Sequence, residues 1–157
     1  MVKGIGNVGR FLVNYLNESN ANIYVTDINK KRLDQISTAY PVNVVEPEKI
    51  FDHNYDIICP CDTDFLVTYQ NVNKIRTEII VGATNNQLES VDLAENLLQN
   101  NVLFFPGFLV NAGGLICATK LYERADIKDI EAEVRNIYHS TKKVLSLSKT
   151  ENITTLN

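Results

Sequence analysis

A run of glycines almost at the start, Gly4-Ile5-Gly6-Asn7-Val8-Gly9, constrains what this chain can fold into more than any other feature. Its G-x-G-x-x-G spacing suits a strand-turn-helix unit. The first glycine permits the tight turn, the second lets a pyrophosphate approach the backbone, and the third lets the helix pack closely on the strand. The start of such a helix favours anions through its unpaired N–H groups and its dipole. Glycines also occupy turns for conformational reasons alone, so the surroundings decide. From Asn7 onward Val8, Leu12, Tyr15 and Leu16 recur at helical spacing and predict one face of a helix opening at the last glycine, Gly9. Ile23-Tyr24-Val25-Thr26 reads as a buried parallel strand. Asp27 closes it, about 20 residues beyond the glycines, where a carboxylate accepts hydrogen bonds from the adenosine ribose. The other role open to Asp27 is to cap a helix starting near Asn29-Lys30, and the two roles are compatible. An acid at this point repels a 2′-phosphate, which favours NAD over NADP, a preference softened by Lys30, Lys31 and Arg32.

The length of 157 residues fits one domain, and 45% hydrophobic with 22% charged residues excludes a disordered class. A net charge of −4 gives no electrostatic reason to expect nucleic acid or an acidic membrane surface. There is no apolar run of membrane-spanning length and no basic-then-apolar leader, so a cytoplasmic location is expected. The three cysteines, Cys59, Cys61 and Cys117, form no even framework of disulfides. Cys59-Pro60-Cys61 looks like half a metal clip, but the only histidines, His53 and His139, stand alone, so no metal is expected and the pair is read as small strand residues.

Only Met1-Val2-Lys3 precede the glycines, where a doubly wound domain places a full central strand, so that strand is expected to be stunted. Further on, Leu33, Ile36 and Tyr40 mark a helix ended by Pro41, and Val42 to Val45 a brief strand or loop. A turn of helix at Pro47 to Phe51 and a strand at Tyr55 to Cys59 follow. The next strand, Glu78 to Gly82, runs into Ala83-Thr84-Asn85-Asn86-Gln87. Three consecutive amides suit a ligand bearing a carboxamide and ribose hydroxyls, or form a polar loop capping a helix that begins near Leu88. Leu93, Ala94, Leu97 and Leu98 define that helix, and Val102 to Phe105 the following strand. Asn111-Ala112-Gly113-Gly114 opens another helix, its glycines permitting close approach of a ligand or neighbouring backbone. A long helix runs from Asp126 with Ile127, Ile130, Val134, Ile137, Val144 and Leu147 as its packing stripe, and Ser146 to Asn157 fades into polar residues. The expected class is α/β, a Rossmann-type doubly wound parallel sheet, truncated in its first strand, with C-terminal helices.

Five ordered stretches, Gly4 to Gly9, Val25 to Asn29, Pro60-Cys61, Asn85 to Leu88 and Asn111 to Gly114, together resemble the cofactor-binding domain of the glutamate/leucine/phenylalanine/valine dehydrogenases, the leucine-directed members above all. The resemblance covers nearly all of residues 1–157 and implies an NAD-binding domain, with the catalytic lysines and aspartate on a separate N-terminal domain outside this sequence. It implies that Gly4, Gly6 and Gly9 hold the pyrophosphate with Asn7 and Val8 at the helix start. Asp27 would hold the adenosine ribose, with Cys61 and Asn85 beside the nicotinamide and its ribose. Asn111 would lie next to both nicotinamide and a small L-amino acid. Such enzymes deaminate an L-amino acid oxidatively to a 2-oxo acid and ammonia.

Several positions depart from the family pattern. Asp62-Thr63-Asp64 replace Ala-Leu-Gly, and two carboxylates there would repel a negatively charged cofactor. Thr84 replaces an alanine and Gly107 an aspartate, while the last helix stops near Asn157. Three readings stay open: the NAD-binding portion of an amino-acid dehydrogenase that needs a catalytic domain or partner chain, a non-catalytic remnant that binds a dinucleotide or an intact relative, and an inactive gene fragment. Turnover by these residues alone is not expected under any of them.

Overall fold

The computed structural model describes residues 1–156. Its centre is a six-stranded, all-parallel sheet in the order β3-β2-β1-β4-β5-β6, built from Val2–Lys3 (β1), Ile23–Thr26 (β2), Val42–Val44 (β3), Tyr55–Pro60 (β4), Thr77–Val81 (β5) and Leu103–Phe105 (β6). The order runs outward from β1 in both directions, so the chain reverses its direction of winding between β1 and β4. That reversal opens a crevice at the carboxyl ends of the strands, as in any doubly wound sheet.

The central strand is as short as expected, yet it is paired on both sides. Val2 stands opposite Val25 on one side and Cys59 on the other. Backbone bonds continue the ladder past both ends: Cys59 N–H donates to Met1 C=O, Cys61 N–H to Lys3 C=O, and Gly4 N–H to Thr26 C=O. A strand of two residues thus does the pairing of four, which satisfies the buried polar groups of its neighbours.

Alternation along the strands divides the core. Val2, Ile23, Val25 and Cys59 face Val13 and Ile36 of two helices, Asn7–Glu18 (α1) and Lys30–Ala39 (α2). Ile58, Ile80 and Phe104 face the other way, onto Leu93 and Leu97 of Leu93–Gln99 (α3) and onto Ile50, Leu66, Val67 and Val72 from the connections. On the α1 side, Ile57, Ile79 and Leu103 form a row across β4, β5 and β6 that is left only partly covered. Ile57 is 37% exposed there.

The α1 face differs from the one read from the sequence. Val8 and Tyr15 are exposed, whereas Gly9 and Val13 are buried with Leu12 and Leu16 half-buried. The close seat of Gly9 against the preceding turn sets this rotation, because it brings the Gly9-Val13 line onto the sheet. The helix expected near Leu88 begins only at Leu93. Residues 87–89 instead pair with 66–67: Val67 N–H donates to Gln87 C=O and Glu89 N–H to Val67 C=O. Pro41 lies just beyond α2, whose last turn is closed by Tyr40 in an extended conformation.

After β6 come Gly107–Val110 (α4), Gly113–Tyr122 (α5) and Ile127–Glu151 (α6). The stripe on α6 is only partly a packing face, since Ile130 is buried but Ile127 and Leu147 are exposed. Beyond the helix the chain does not fade away. Asn152 adopts a left-handed conformation with φ 52°. The chain then turns back so that Thr154 is buried, Thr155 Oγ1 donates to the Phe104 carbonyl, and Leu156 packs on the main core. No helix among the described residues is long and apolar enough to cross a membrane.

Candidate functional site

The glycine turn sits at the carboxyl end of β1, and its three glycines have different reasons to be glycine. Gly4 has φ +95°, and a Cβ on it would meet the backbone of Asp62 at 2.7 Å. A Cβ on Gly9 would stand 2.0 Å from the Gly4 carbonyl, so α1 abuts the turn directly. Around Gly6 there is nothing within 4 Å. Gly6 therefore borders open space at the start of α1. It is the N-cap, has no side-chain cap, and is followed by a first turn with no acidic residue. Asn7 and Val8 are exposed beside it. The helix start presents donors and a positive dipole end to an unfilled space, which suits a phosphate.

Asp27 is buried and braces the turn. Its Oδ2 accepts from Ile5 N–H at 2.6 Å and its Oδ1 from Asn29 N–H at 2.7 Å. Arg32 Nη1 approaches Oδ2 to 3.6 Å. The cap of α2 is a different residue: Asn29 accepts from Arg32 N–H through its side chain. The carboxylate thus ties the glycine turn to the entrance of α2, a role that spacing alone does not reveal.

Across the crevice, Cys61 follows β4 and lies against Gly9, 3.5 Å from where a Cβ there would be. Burial pushes its thiol above the usual value, and the neighbouring Asp62 adds to this against a hydrogen bond from Ala83. Cys59, deeper in β4, is pushed up to about 11, mainly by burial. Among the described residues no group of three or more His, Cys, Asp or Glu stands close enough to hold a metal ion.

The repulsion expected from Asp62 is offset within the protein. Lys3, at the end of β1, forms a short ion pair with Asp62 Oδ2, so the carboxylate charge is met within the protein. Asp64 is exposed. The Asp62 carbonyl also accepts from Thr84 Oγ1, and the Thr84 carbonyl lies 2.5 Å from where a Cβ on Gly107 would be. The three departures at 62, 84 and 107 are consequently one contiguous structure, with Lys3 as its fourth member. Sequence reasoning missed Lys3; the signal was a lysine and an aspartate each at the carboxyl end of adjacent apolar strands.

The amide run is also split. Gln87 is buried, with Nε2 donating to the Phe105 carbonyl, so it braces β6 rather than facing the crevice. Asn85 is exposed at the end of β5. The Asn111 side-chain amide reaches it, donating to Asn85 Oδ1 at 2.5 Å and to the Ala83 carbonyl at 2.8 Å. That bridge joins the loops after β5 and β6 and leaves the Asn85 amide nitrogen free to donate. No neighbouring backbone approaches Gly113 or Gly114 closely: a Cβ at Gly113 would make ordinary contacts with the Val134 and Ile137 side chains, and one at Gly114 would meet nothing within 4 Å.

A glycine turn after β1, a buried acid after β2 and two bridged asparagines after β5 and β6 thus stand beyond the carboxyl ends of the strands. The family model for Glutamate/Leucine/Phenylalanine/Valine dehydrogenase matches residues 24–127. L-tryptophan dehydrogenase from Nostoc punctiforme is 30% identical over 155 residues, which are 98% of this chain and 44% of that protein. Leucine dehydrogenase from Bacillus subtilis (strain 168) is 32% identical over 157 residues, 97% of this chain and 42% of that protein. The crystal structure of the Nostoc enzyme superposes with a TM-score of 0.94 over 98% of this chain and 46% of its own. This chain therefore spans less than half the length of the relatives it matches. With strand order and sequence in agreement along almost its whole length, the chain belongs to the glutamate/leucine/phenylalanine/valine dehydrogenase family.

Proposed function

We propose that these residues form the NAD-binding portion of an enzyme that oxidatively deaminates an L-amino acid, leucine or a similar apolar one, to a 2-oxo acid and ammonia. The observation that carries the reading is the open space at Gly6 at the start of α1, with Asp27 bonded to the adjoining Ile5 amide. In this reading the first-turn amides of α1 hold the pyrophosphate and Asp27 holds the adenosine ribose at the mouth of its own brace. Asn85 and Asn111, already joined, orient the carboxamide and ribose of the nicotinamide. NAD supplies the hydride acceptor. The residues here bind and orient it, and Gly4 and Gly9 keep the backbone close enough to do so.

The proton acceptor for the amino acid is assigned to a catalytic domain or partner chain. Lys3, at the carboxyl end of β1, is held in its pair with Asp62. The chain alone is accordingly expected to bind NADH but to produce none from NAD and L-leucine.

The test is a calorimetric titration with NADH on the native chain and on Gly6→Val. Valine would occupy the open space, and since Gly6 has φ −80° and ψ −155°, folding of the variant is checked by circular dichroism. Saturable binding that the variant abolishes supports the reading; heat that is unchanged in the variant, or absent from both folded proteins, overturns it. Leucine-dependent NADH formation by the purified chain would separately overturn the assignment of the base to another domain.

A second reading, a binding protein without catalysis, is favoured by the Lys3–Asp62 pair and by Thr84, which fill positions beside the nicotinamide end of the crevice. Supplying the catalytic half of a family member in trans distinguishes the two: recovery of turnover supports the enzyme portion, and unchanged NADH binding without turnover supports the remnant.

A further inference from the structure

We propose that Lys3, Asp62 and Thr84 form a staple across the strand ends that positions Asn85 and Asn111 for the nicotinamide ring, which makes Lys3 and Thr84 positioning residues for the reacting half of the cofactor; this rests on the dinucleotide reading of the crevice. The staple is continuous. Lys3, closing β1, pairs with Asp62 beyond β4, and the neighbouring Cys61 N–H donates to the Lys3 carbonyl. Thr84, beyond β5, holds the same segment twice. Its N–H donates to the Pro60 carbonyl at 3.2 Å and its Oγ1 to the Asp62 carbonyl at 2.5 Å. One residue before Thr84, the Ala83 carbonyl accepts from Asn111 Nδ2, which follows α4.

Packing leaves these groups little freedom. Thr84 is buried, and a Cβ on Gly107 would stand 2.5 Å from the Thr84 carbonyl and 3.1 Å from Asn111 Nδ2, so the loops after β5 and β6 meet without a gap. At the other end, a Cβ on Gly4 would meet the Asp62 backbone nitrogen at 2.7 Å. Close-packed groups of this kind transmit a displacement instead of absorbing it. A shift of the Asp62 segment is therefore passed through Thr84 to the backbone that carries Asn85.

The staple also fixes polarity. The Ala83 carbonyl can only accept, so it marks the nitrogen of the Asn111 amide, and that nitrogen gives its second hydrogen to Asn85 Oδ1. The Asn85 nitrogen is then left to donate and Asn111 Oδ1 to accept, and a carboxamide carries one group of each complementary kind. The adenosine half is held by other means. Asp27 takes the Ile5 and Asn29 amides and lies beside Arg32, with no member of the staple among these partners. Cutting the staple should accordingly affect one half of the cofactor and spare the other.

The experiment compares NADH with ADP-ribose, which keeps the adenosine, the pyrophosphate and the second ribose but lacks the nicotinamide ring. Both are titrated by calorimetry into the full chain and into Thr84→Val, Thr84→Ser and Lys3→Met, each checked for native circular dichroism, and the fluorescence of bound NADH is recorded. Thr84→Val removes the hydroxyl and little else. It and Lys3→Met are expected to weaken NADH by about fivefold to tenfold and to lower the fluorescence gain on binding, while ADP-ribose changes by less than about twofold. Thr84→Ser, which keeps the hydroxyl, should behave as the native chain does. Equal weakening of both ligands overturns the proposal, since the variants would then disturb the shared pyrophosphate or the fold. Unchanged NADH binding in Thr84→Val overturns it as well, and both results leave the dinucleotide reading intact. Binding of neither ligand by the native chain removes that reading and the staple's role together.

Discussion

At the scale of single residues, the glycine turn separates conformation from binding. Gly9 has no room for a methyl group, because its Cβ would fall 2.0 Å from the Gly4 carbonyl. Gly9→Ala is expected to destabilise the fold by about 2–4 kcal/mol, as overpacking against backbone does, read from urea unfolding. Gly6→Ala, with open space around it, should leave the unfolding midpoint almost unchanged. Cys59 gives a pH test. Burial raises its thiol to about 11 from the usual 9.0, so between those values the unfolded chain releases a proton that the folded chain retains. Stability from this group is therefore fully present below pH 9 and falls as pH rises toward 11, by about 2–3 kcal/mol. Unfolding of native and Cys59→Ala chains across that range should show a steeper loss for the native protein. The places of the glycines after β1 and of the acid after β2 were legible because each follows directly on a strand end. The brace made by Asp27 was not, because it depends on a loop meeting the carboxylate from 22 residues away.

At the scale of elements, the stunted β1 shows how a strand can be short in residues and complete in hydrogen bonds. Its outer end is secured by the Lys3–Asp62 pair, which joins β1 to the end of β4 with side chains only 14% and 27% exposed. Lys3→Met is expected to cost about 1–3 kcal/mol, since it leaves Asp62 partly buried without its partner. Lys3→Met with Asp62→Ala should recover much of that loss, and the difference in a double-mutant unfolding cycle gives the coupling. At the far end of the chain, Leu156 packs on the main core, and Leu156→Ala should lower stability by about 1–2 kcal/mol in the same assay. Periodicity located α1, α2, α3 and α6 but misjudged which way α1 faces. Helical spacing fixes a stripe only where apolar residues outnumber the small ones that make the real contact, and Gly9 carries no hydrophobic signal. It also placed the start of α3 early, because pairing of residues 87–89 with 66–67 is a non-local event that no local propensity encodes.

At the scale of the whole molecule, the sheet obeys the doubly wound order but is unevenly clothed. All-parallel sheets bury both faces, whereas here Ile57, Ile79 and Leu103 line up half-covered on the α1 side. A groove of about 690 Å³ runs from Ile57 past Leu12, Leu16, Cys59 and Val81. Apolar surface of this kind attracts other apolar surface. Ile57→Lys is expected to lower self-association in sedimentation velocity and to reduce fluorescence of a hydrophobic dye, with circular dichroism unchanged. Fold class was legible from the alternation of strands and helices. The uneven covering was not, because Ile57 and Ile79 read in sequence like any buried strand residues.

The chain of contacts from Lys3 through Asp62 and Thr84 to Gly107 also bears on descent. Four positions that touch in series cannot be exchanged independently: a lost lysine strands an acid, and a side chain at 107 must wait until the loop carrying Thr84 has moved. Substitutions across this crevice are therefore contingent on order, and a return to an earlier set of residues one change at a time would pass through proteins less stable than either end.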